Sequence, residues 1–433
     1  MKTLLALFLG SANQRRLVER FLPDLSASGV RVVVADDWIE PLPCFRDGLA
    51  DVLRVPPPGE ITAVVRACEA YARTHSVHGV LAPTESAILP GALVARRLGV
   101  PGLPLRAAEA CVNKHLTREL LARGRVPCPR FALAESVRDV TRFASGCYPV
   151  FLKAVASTMG RLVTRVNREA DASTAVDRLR AGLAKSGDIQ RLVAFATASD
   201  LTLDCDPTRQ FLVESCAVGT PVETDGVVVA ATPHFYGVTE QVHCPPPHIF
   251  MKGYLLPAEE QESARIIEVS RAALSALGVR DACFSIELRA HDDTVEVIEV
   301  NGRVGQDDGF GEFHEFAGGR EGMALAIDVA LGRPLLPPQL GVAHWALAFQ
   351  SWYAGGVVER VPTAAEIQAA RAEVTALGLC VERGDVLHAA PDPETFPHLA
   401  WAVASDARSS RAAYVRASAT VDSLRFSIAS REH

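Results

Sequence analysis

Apolar runs at Leu4–Leu9, Val30–Ala35 and Val77–Leu81 are short, nearly continuous and suited to buried parallel strands. Amphipathic stretches near 14–27, 60–75 and 86–98 lie between and after them and read as helices. This alternation predicts a small doubly wound α/β unit over 1–107, closed by Pro101-Gly102-Leu103-Pro104. A helix is predicted over Ala107–Arg123, ended by Gly124-Arg125-Val126-Pro127. Tyr148–Ala154 is an apolar strand interrupted by Lys153, and a lysine there must meet an anion or snorkel to water. Arg180–Arg209 is polar and uneven and reads as a loop-rich insertion, followed by a strand at Gln210–Glu214. Gly226–His243 reads as two strands of a meander. Glu259–Leu277 is a helix whose stripe is Ile266, Ile267, Val269, Ala273 and Leu274, with Gly278 as its stop. A helix at Ala324–Leu331 precedes Pro337-Pro338, which opens a C-terminal unit over 337–433. That unit reads as small and α/β or β-rich, with segments at Ala346–Trp352, Val357–Val361, Ala364–Ala376 (helical), Ala400–Ala404 and Thr420–Ile428.

The most informative pattern lies in between. Phe284–Ala290 and Thr294–Arg303 read as strands joined by the polar turn His291-Asp292-Asp293. A hairpin centred near Asp293 sets Glu287 opposite Glu299, and the two-residue period puts Asn301 and Arg303 on the same face. Facing carboxylates repel without a counter-charge. A hard divalent cation with oxygen ligands relieves them, and Mg2+ with nucleotide phosphates is the usual case. An ordinary polar sheet face fits the pair about as well; Arg303 tips the balance, because anionic chemistry beside a metal needs such a group.

A chain of 433 residues suggests two or three domains. Its net charge of −7 argues against nucleic acid as the main partner. Ten cysteines without a Cys-x-x-Cys pair suit reduced thiols in a cytoplasmic protein. The apolar start imitates a signal peptide, but the run is only Thr3–Leu9 and reads better as a first strand. No apolar stretch approaches the ~20 residues of a membrane span. No Gly-x-Gly-x-x-Gly follows the first strand, so the dinucleotide fingerprint is missing.

Glu287 with Glu299-Val300-Asn301-Gly302-Arg303 resembles the metal-binding end of the ATP-grasp ligases, whose usual signature is Glu-x-Asn-Pro-Arg; Gly302 stands at the proline. The resemblance implies an α/β (α+β) ATP-grasp fold: an N-terminal Rossmann-like unit over 1–107, an ATP-grasp domain of two subdomains over 108–336 with ATP between them, and a small C-terminal α/β domain over 337–433. It implies ATP and Mg2+ (or Mn2+), with the metal on Glu287, Glu299 and Asn301. Lys114, a solvated helix lysine by spacing alone, and Lys153 would hold the phosphates. Ala156–Arg161 would be the lid loop, with one glycine where relatives have two or three, helped by Ser157 and Thr158. Glu214, Ser215 and Cys216 would form the adenine edge, largely through backbone groups. Pro221 stands where relatives often hold ribose with a glutamate, and Glu223 is the substitute.

The stretch around Glu240 and His243 is similar to one branch, the L-amino-acid ligases that make dipeptides, in which a Glu and a His at this spacing face the amino acid. Asp307, in Gly305–Gly309, would line the same pocket, and Arg303 would hold the substrate carboxylate and then the acyl phosphate. The activity implied is an ADP-forming carboxylate–amine ligase acting on small-molecule substrates, with no membrane partner and room for a homodimer. Two alternatives stay open: a carboxylase or purine-pathway ATP-grasp enzyme, and a nucleotide-binding module that has lost catalysis. Neither the substrates nor the general base is legible.

Overall fold

The protein is described from a computed structural model at residues 2–8, 22–27, 29–37, 50–158, 160–244, 250–258, 263–292, 294–305, 307–389 and 398–430. The expected start of the first helix (14–21), Met159 of the lid loop and Pro245-Pro246-Pro247 lie outside these residues.

The first unit contains β1 (Lys2–Leu7), α1 (Leu22–Ala27), β2 (Val30–Asp36), β3 (Ala50–Arg54), α2 (Ile61–Thr74), β4 (Gly79–Leu81) and α3 (Ile88–Leu98). Its strands are all parallel in the order β3-β2-β1-β4. The apolar runs behave as read: Leu4 to Leu7 and Val32 and Val33 are fully buried. β3 was not anticipated, because Ala50-Asp51-Val52-Leu53-Arg54 is too polar to show as a buried run.

The expected single helix at Ala107–Arg123 is two, α4 (Leu105–Val112) and α5 (Lys114–Arg123). Asn113 is extended and caps α5 by accepting from Leu116 N at 3.1 Å. The break lets Lys114 N donate to Val155 O at 2.8 Å. There follow β5 (Phe131–Ala134), α6 (Val137–Ala144), β6 (Val150–Ala154), β7 (Val163–Val166), α7 (Ala172–Leu183), α8 (Gly187–Ser199) and β8 (Phe211–Ser215). The strands make an antiparallel sheet in the order β5-β8-β6-β7. Much of the expected loop-rich insertion is helical: α7 and α8 bury Leu179, Leu183, Ile189, Leu192 and Phe195. The intervening polar residues lie on their exposed faces and obscured the 3.6 period.

The large sheet uses β9 (Thr220–Val229), β10 (Thr232–Phe235), β11 (Thr239–His243), β12 (Met251–Leu256), β13 (Ala282–His291) and β14 (Thr294–Asn301). Three helices accompany it: α9 (Ser263–Leu277), α10 (Phe310–Gly318) and α11 (Gly322–Ala330). The remaining elements are β15 (His344–Ser351), β16 (Ala354–Arg360), α12 (Ala364–Arg371), β17 (Ala376–Leu379), β18 (Val386–Ala389), β19 (His398–Asp406), α13 (Ser410–Ser423) and β20 (Ser427–Ala429). The sheet order is β14-β13-β9-β11-β12-β15-β19-β17, with β10 beside β9. β15 pairs with β12, so the segment after 337 extends this sheet. Thr420–Ile428 splits between the end of α13 and β20. No helix among the described residues is long and apolar enough to cross a membrane.

Candidate active site

Register builds the site. Glu287 lies directly opposite Glu299 on one side and Glu223 on the other. Ser285 lies opposite Asn301 and Asp225. Directly paired residues share a face, so Glu223, Asp225, Ser285, Glu287, Glu299 and Asn301 form one polar face across three strands. A bulge after Glu287 marks where the hairpin pairing shifts.

This ladder is electrostatically unbalanced. Burial, then the charges of Glu299 and Glu223, push Glu287 up to about 8. Burial disfavours the Glu299 anion too, but Lys114 outweighs it and holds this carboxylate below its ordinary range. Lys114 Nζ lies 2.6 Å from Glu299 Oε1 and also donates to Ser157 O at 2.8 Å. Glu223 accepts from Gln241 Nε2 and Ser285 Oγ, each at 2.7 Å.

The second sheet supplies a buried ionic triad. Glu214 Oε1 lies 2.8 Å from Arg118 Nε, and Glu214 Oε2 lies 2.7 Å from Lys153 Nζ. Arg118 and Glu214 side chains are each 1% exposed. Burial opposes the charge on Glu214, yet Arg118 and Lys153 together hold it below its ordinary range. Arg118 Nη2 also donates to Ile298 O at 2.8 Å, tying the triad to the β13–β14 hairpin. The lysine in the apolar strand therefore does find its anion.

Arg303 is half-buried, with Nε 3.0 Å from Glu85 Oε2 and Nη1 donating to Val304 O at 2.9 Å. Glu85 comes from the first unit, so that unit reaches the cluster. In the lid loop, Ser157 is buried with Oγ unpartnered. Thr158 Oγ1 donates to Asp188 Oδ2 at 3.4 Å, and Arg161 Nη2 lies 3.3 Å from the same oxygen.

The structure thus gathers Lys114, Lys153, Ser157, Glu214, Glu223, Glu287, Glu299, Asn301 and Arg303 into one polar cluster. Asp307 joins its far side and accepts from Tyr254 Oη. His243 follows Gln241 by two on β11 and shares its face; burial and Arg289 lower it to about 4, so it is neutral. Glu240 is not brought to the cluster. It pairs with Val222 while Thr239 pairs with Glu223, so it points through the other face, where Arg411 Nη2 binds it at 2.6 Å. The Glu-x-x-His spacing suits a helix face; on a strand its ends fall on opposite sides. The expected adenine edge was Glu214, Ser215 and Cys216. The Glu214 side chain is consumed by the triad, and Ser215 N donates to Arg130 O at 2.9 Å, so only Cys216 lies beyond the paired strand.

Sequence reading missed Glu85, Arg118, Asp225, Gln241, Tyr254 and Ser285. Asp225 and Ser285 share the period of Glu223 and Glu287 and were findable from alternation. Glu85 and Arg118 reach the site only through tertiary packing.

The donor set suits a hard cation: two facing carboxylates, one of them pushed up by burial and then by the other's charge, and a buried Asn301. Among the described residues no group of three or more His, Cys, Asp and Glu is arranged to hold a metal by itself.

Residues 147–309 match the ATP-grasp domain family. A comparison with curated proteins gives no match. The fold is similar to an L-amino acid ligase from Bacillus licheniformis, with a TM-score of 0.76 and 20% identity over 99% of both chains. It is similar to a phosphoribosylglycinamide synthetase from Anaerococcus prevotii, at 0.68 and 15% over 99% of both chains. It also matches the biotin carboxylase domain of the Hydrogenobacter thermophilus 2-oxoglutarate carboxylase, a structure holding MgADP, ADP and bicarbonate, at 0.64 and 14% over 94% of this chain and 86% of that one.

Proposed function

We propose, from the premise that the chain carries an ATP-grasp domain and has the ATP-grasp fold throughout, that it is an ADP-forming carboxylate–amine ligase. Its substrates in this reading are amino acids or amino-acid-like compounds, joined through an acyl phosphate. The observation that carries the reading is Arg303 placed beside the Glu287–Glu299–Asn301 ladder, with Lys114 and Lys153 on the facing side.

Arg303 holds the substrate carboxylate. A carboxylate oxygen attacks the γ-phosphorus of ATP as the bond from that phosphorus to the ADP oxygen breaks. The amine nitrogen then attacks the acyl carbon, the carbon–oxygen bond to phosphate breaks, and the amine loses a proton. Lys114 and Lys153 bind phosphate oxygens, at which point each exchanges a carboxylate partner for the nucleotide. Glu287, Glu299 and Asn301 would hold Mg2+ or Mn2+, which offsets negative charge growing on the phosphate oxygens. Arg303, paired with Glu85, stays charged and faces the tetrahedral oxyanion.

The protein is placed in the cytoplasm in this reading. The division at 107/108 and 336/337 is retained, with the third unit's strands continuous with the central sheet. The test is release of ADP and phosphate in a screen of amino-acid pairs, with mass spectrometry of the products. ADP release that requires two amino acids and yields their conjugate supports the reading. Release driven by bicarbonate instead would assign the carboxylase-type reaction, and AMP with pyrophosphate would exclude a phosphoryl-transfer ligase.

A further inference from the structure

Arg289 follows Glu287 by two residues on β13, so it leaves the same face of the sheet, about 7 Å further along the strand. It is half-buried, and its charge acts on Glu287, the Cys216 thiol and the His243 ring. Among the described residues it makes no hydrogen bond and no ion pair. The other cations of the cluster are each held by a carboxylate: Lys114 by Glu299, Lys153 and Arg118 by Glu214, Arg303 by Glu85. The register explains the difference. Directly opposite Arg289 on β9 stands Pro221, where relatives often hold ribose with a glutamate. A glutamate there would face the guanidinium and pair with it; proline has no such group. Glu296, opposite on β14, is set among Arg118 and Glu214 instead. Glu223, the next residue of β9 on this face, has its oxygens engaged by Gln241 and Ser285 inside the sheet.

A half-buried charge without a counter-charge is held at a cost, which an incoming anion removes. Lys114 and Lys153 must give up a carboxylate to bind an anion, whereas Arg289 gives up nothing. Its planar fork fits two oxygens of one phosphate group. Its place along the face selects which phosphate. On one side lie the facing carboxylates Glu287 and Glu299; on the other lies Cys216, the member of the expected adenine edge beyond the paired strand. A nucleotide with its base at Cys216 and its γ-phosphate at the carboxylates passes Arg289 in between, with its α-phosphate.

We propose that Arg289 is a ligand of the nucleotide's α-phosphate, gripping its two non-bridging oxygens from β13, and that with Pro221 opposite it this site anchors the nucleotide by charge in place of a ribose-holding glutamate. The inference rests on the ligase reading for the direction of the nucleotide, but not for the binding of an anion. The α-phosphate is not transferred, so the contact is the same before and during reaction. Its loss therefore falls on KM for ATP rather than on kcat.

The test is thermal unfolding of the full chain titrated with MgADP, AMP or adenosine, for wild type, Arg289→Gln and Arg289→Lys, since a ligand of the folded state raises the unfolding temperature according to its affinity. In Arg289→Gln, ADP and AMP should each bind at least ~10-fold more weakly, the scale of one lost charge-assisted contact, and adenosine should bind as before. Arg289→Lys, with the charge but not the fork, should fall between the two. Without ligand, Arg289→Gln should unfold no lower than wild type, because an unpaired charge has gone. Weakening of adenosine together with AMP, or a lower unfolding temperature without ligand, would give Arg289 a structural role. Weakening of ADP but not AMP would move the contact to the β-phosphate, and unchanged ADP would remove it; each of these overturns the proposal. If Arg289→Gln fails to fold, the AMP and adenosine affinities of Arg289→Lys decide the matter in the same way. Ligation by a variant with normal ADP affinity would keep the ligase and overturn the role of Arg289. Weakened ADP and AMP in a protein that ligates no amino-acid pair would keep that role and overturn the ligase.

Discussion

Replacing Glu287 by glutamine should make the metal-free protein less sensitive to alkali. Glu287 has a folded value of about 8 against an ordinary 4.5, raised by burial and then by Glu299 and Glu223. A group raised in the folded state contributes stability fully below its unfolded value and loses it as pH climbs through the folded one. Each pH unit between the two values is worth about 1.36 kcal/mol. The full window from 4.5 to 8 therefore spans about 5 kcal/mol, and roughly 1 kcal/mol of it falls between pH 7 and 9. Glutamine is close in shape to the protonated carboxyl and does not titrate. Wild type and Glu287→Gln should match below about pH 4.5, and between pH 7 and 9 the wild type should lose a further ~1–2 °C of unfolding temperature relative to the variant, on the scale expected for a chain of this size. Differential scanning calorimetry with chelator at both pH values measures this, and the difference cancels every other titrating group. Adding Mg2+ and ADP should reverse the order, because the ionised carboxylate is the ligand and the variant has lost it. Parallel pH slopes for the two proteins would refute the ladder's electrostatics.

Arg303→Lys should lose at least ~10-fold in ligation rate, about 1.4 kcal/mol, while nucleotide affinity by calorimetry stays level, because an ammonium cannot replace the two-pronged guanidinium. Glu214→Ala should destabilise the protein by about 3–5 kcal/mol in urea titrations, since Arg118 is then left charged and buried. Glu240→Ala should keep its ligation rate within about twofold of wild type, because the side chain is on the face away from the cleft.

What the sequence alone could determine was whatever depends on local period and on which residue types sit two apart. The buried strands of the first unit were legible from uninterrupted apolar runs, and Glu287 facing Glu299 from alternation about a polar turn. Lys153 was legible as a lysine needing an anion. Its partner was not, because Glu214 stands 61 residues away and only the β6–β8 pairing joins them. Tertiary structure alone decided the face on which Glu240 lies, since that follows from the register of β11 on β9, and a shift of one residue would have reversed it. It also decided that Glu85 of the first unit reaches Arg303 and that Asn113 breaks a helix to deliver Lys114 to Glu299. Period is carried by neighbours in the chain, whereas charge balance is carried by neighbours in space, and the second becomes visible only once the strands have paired.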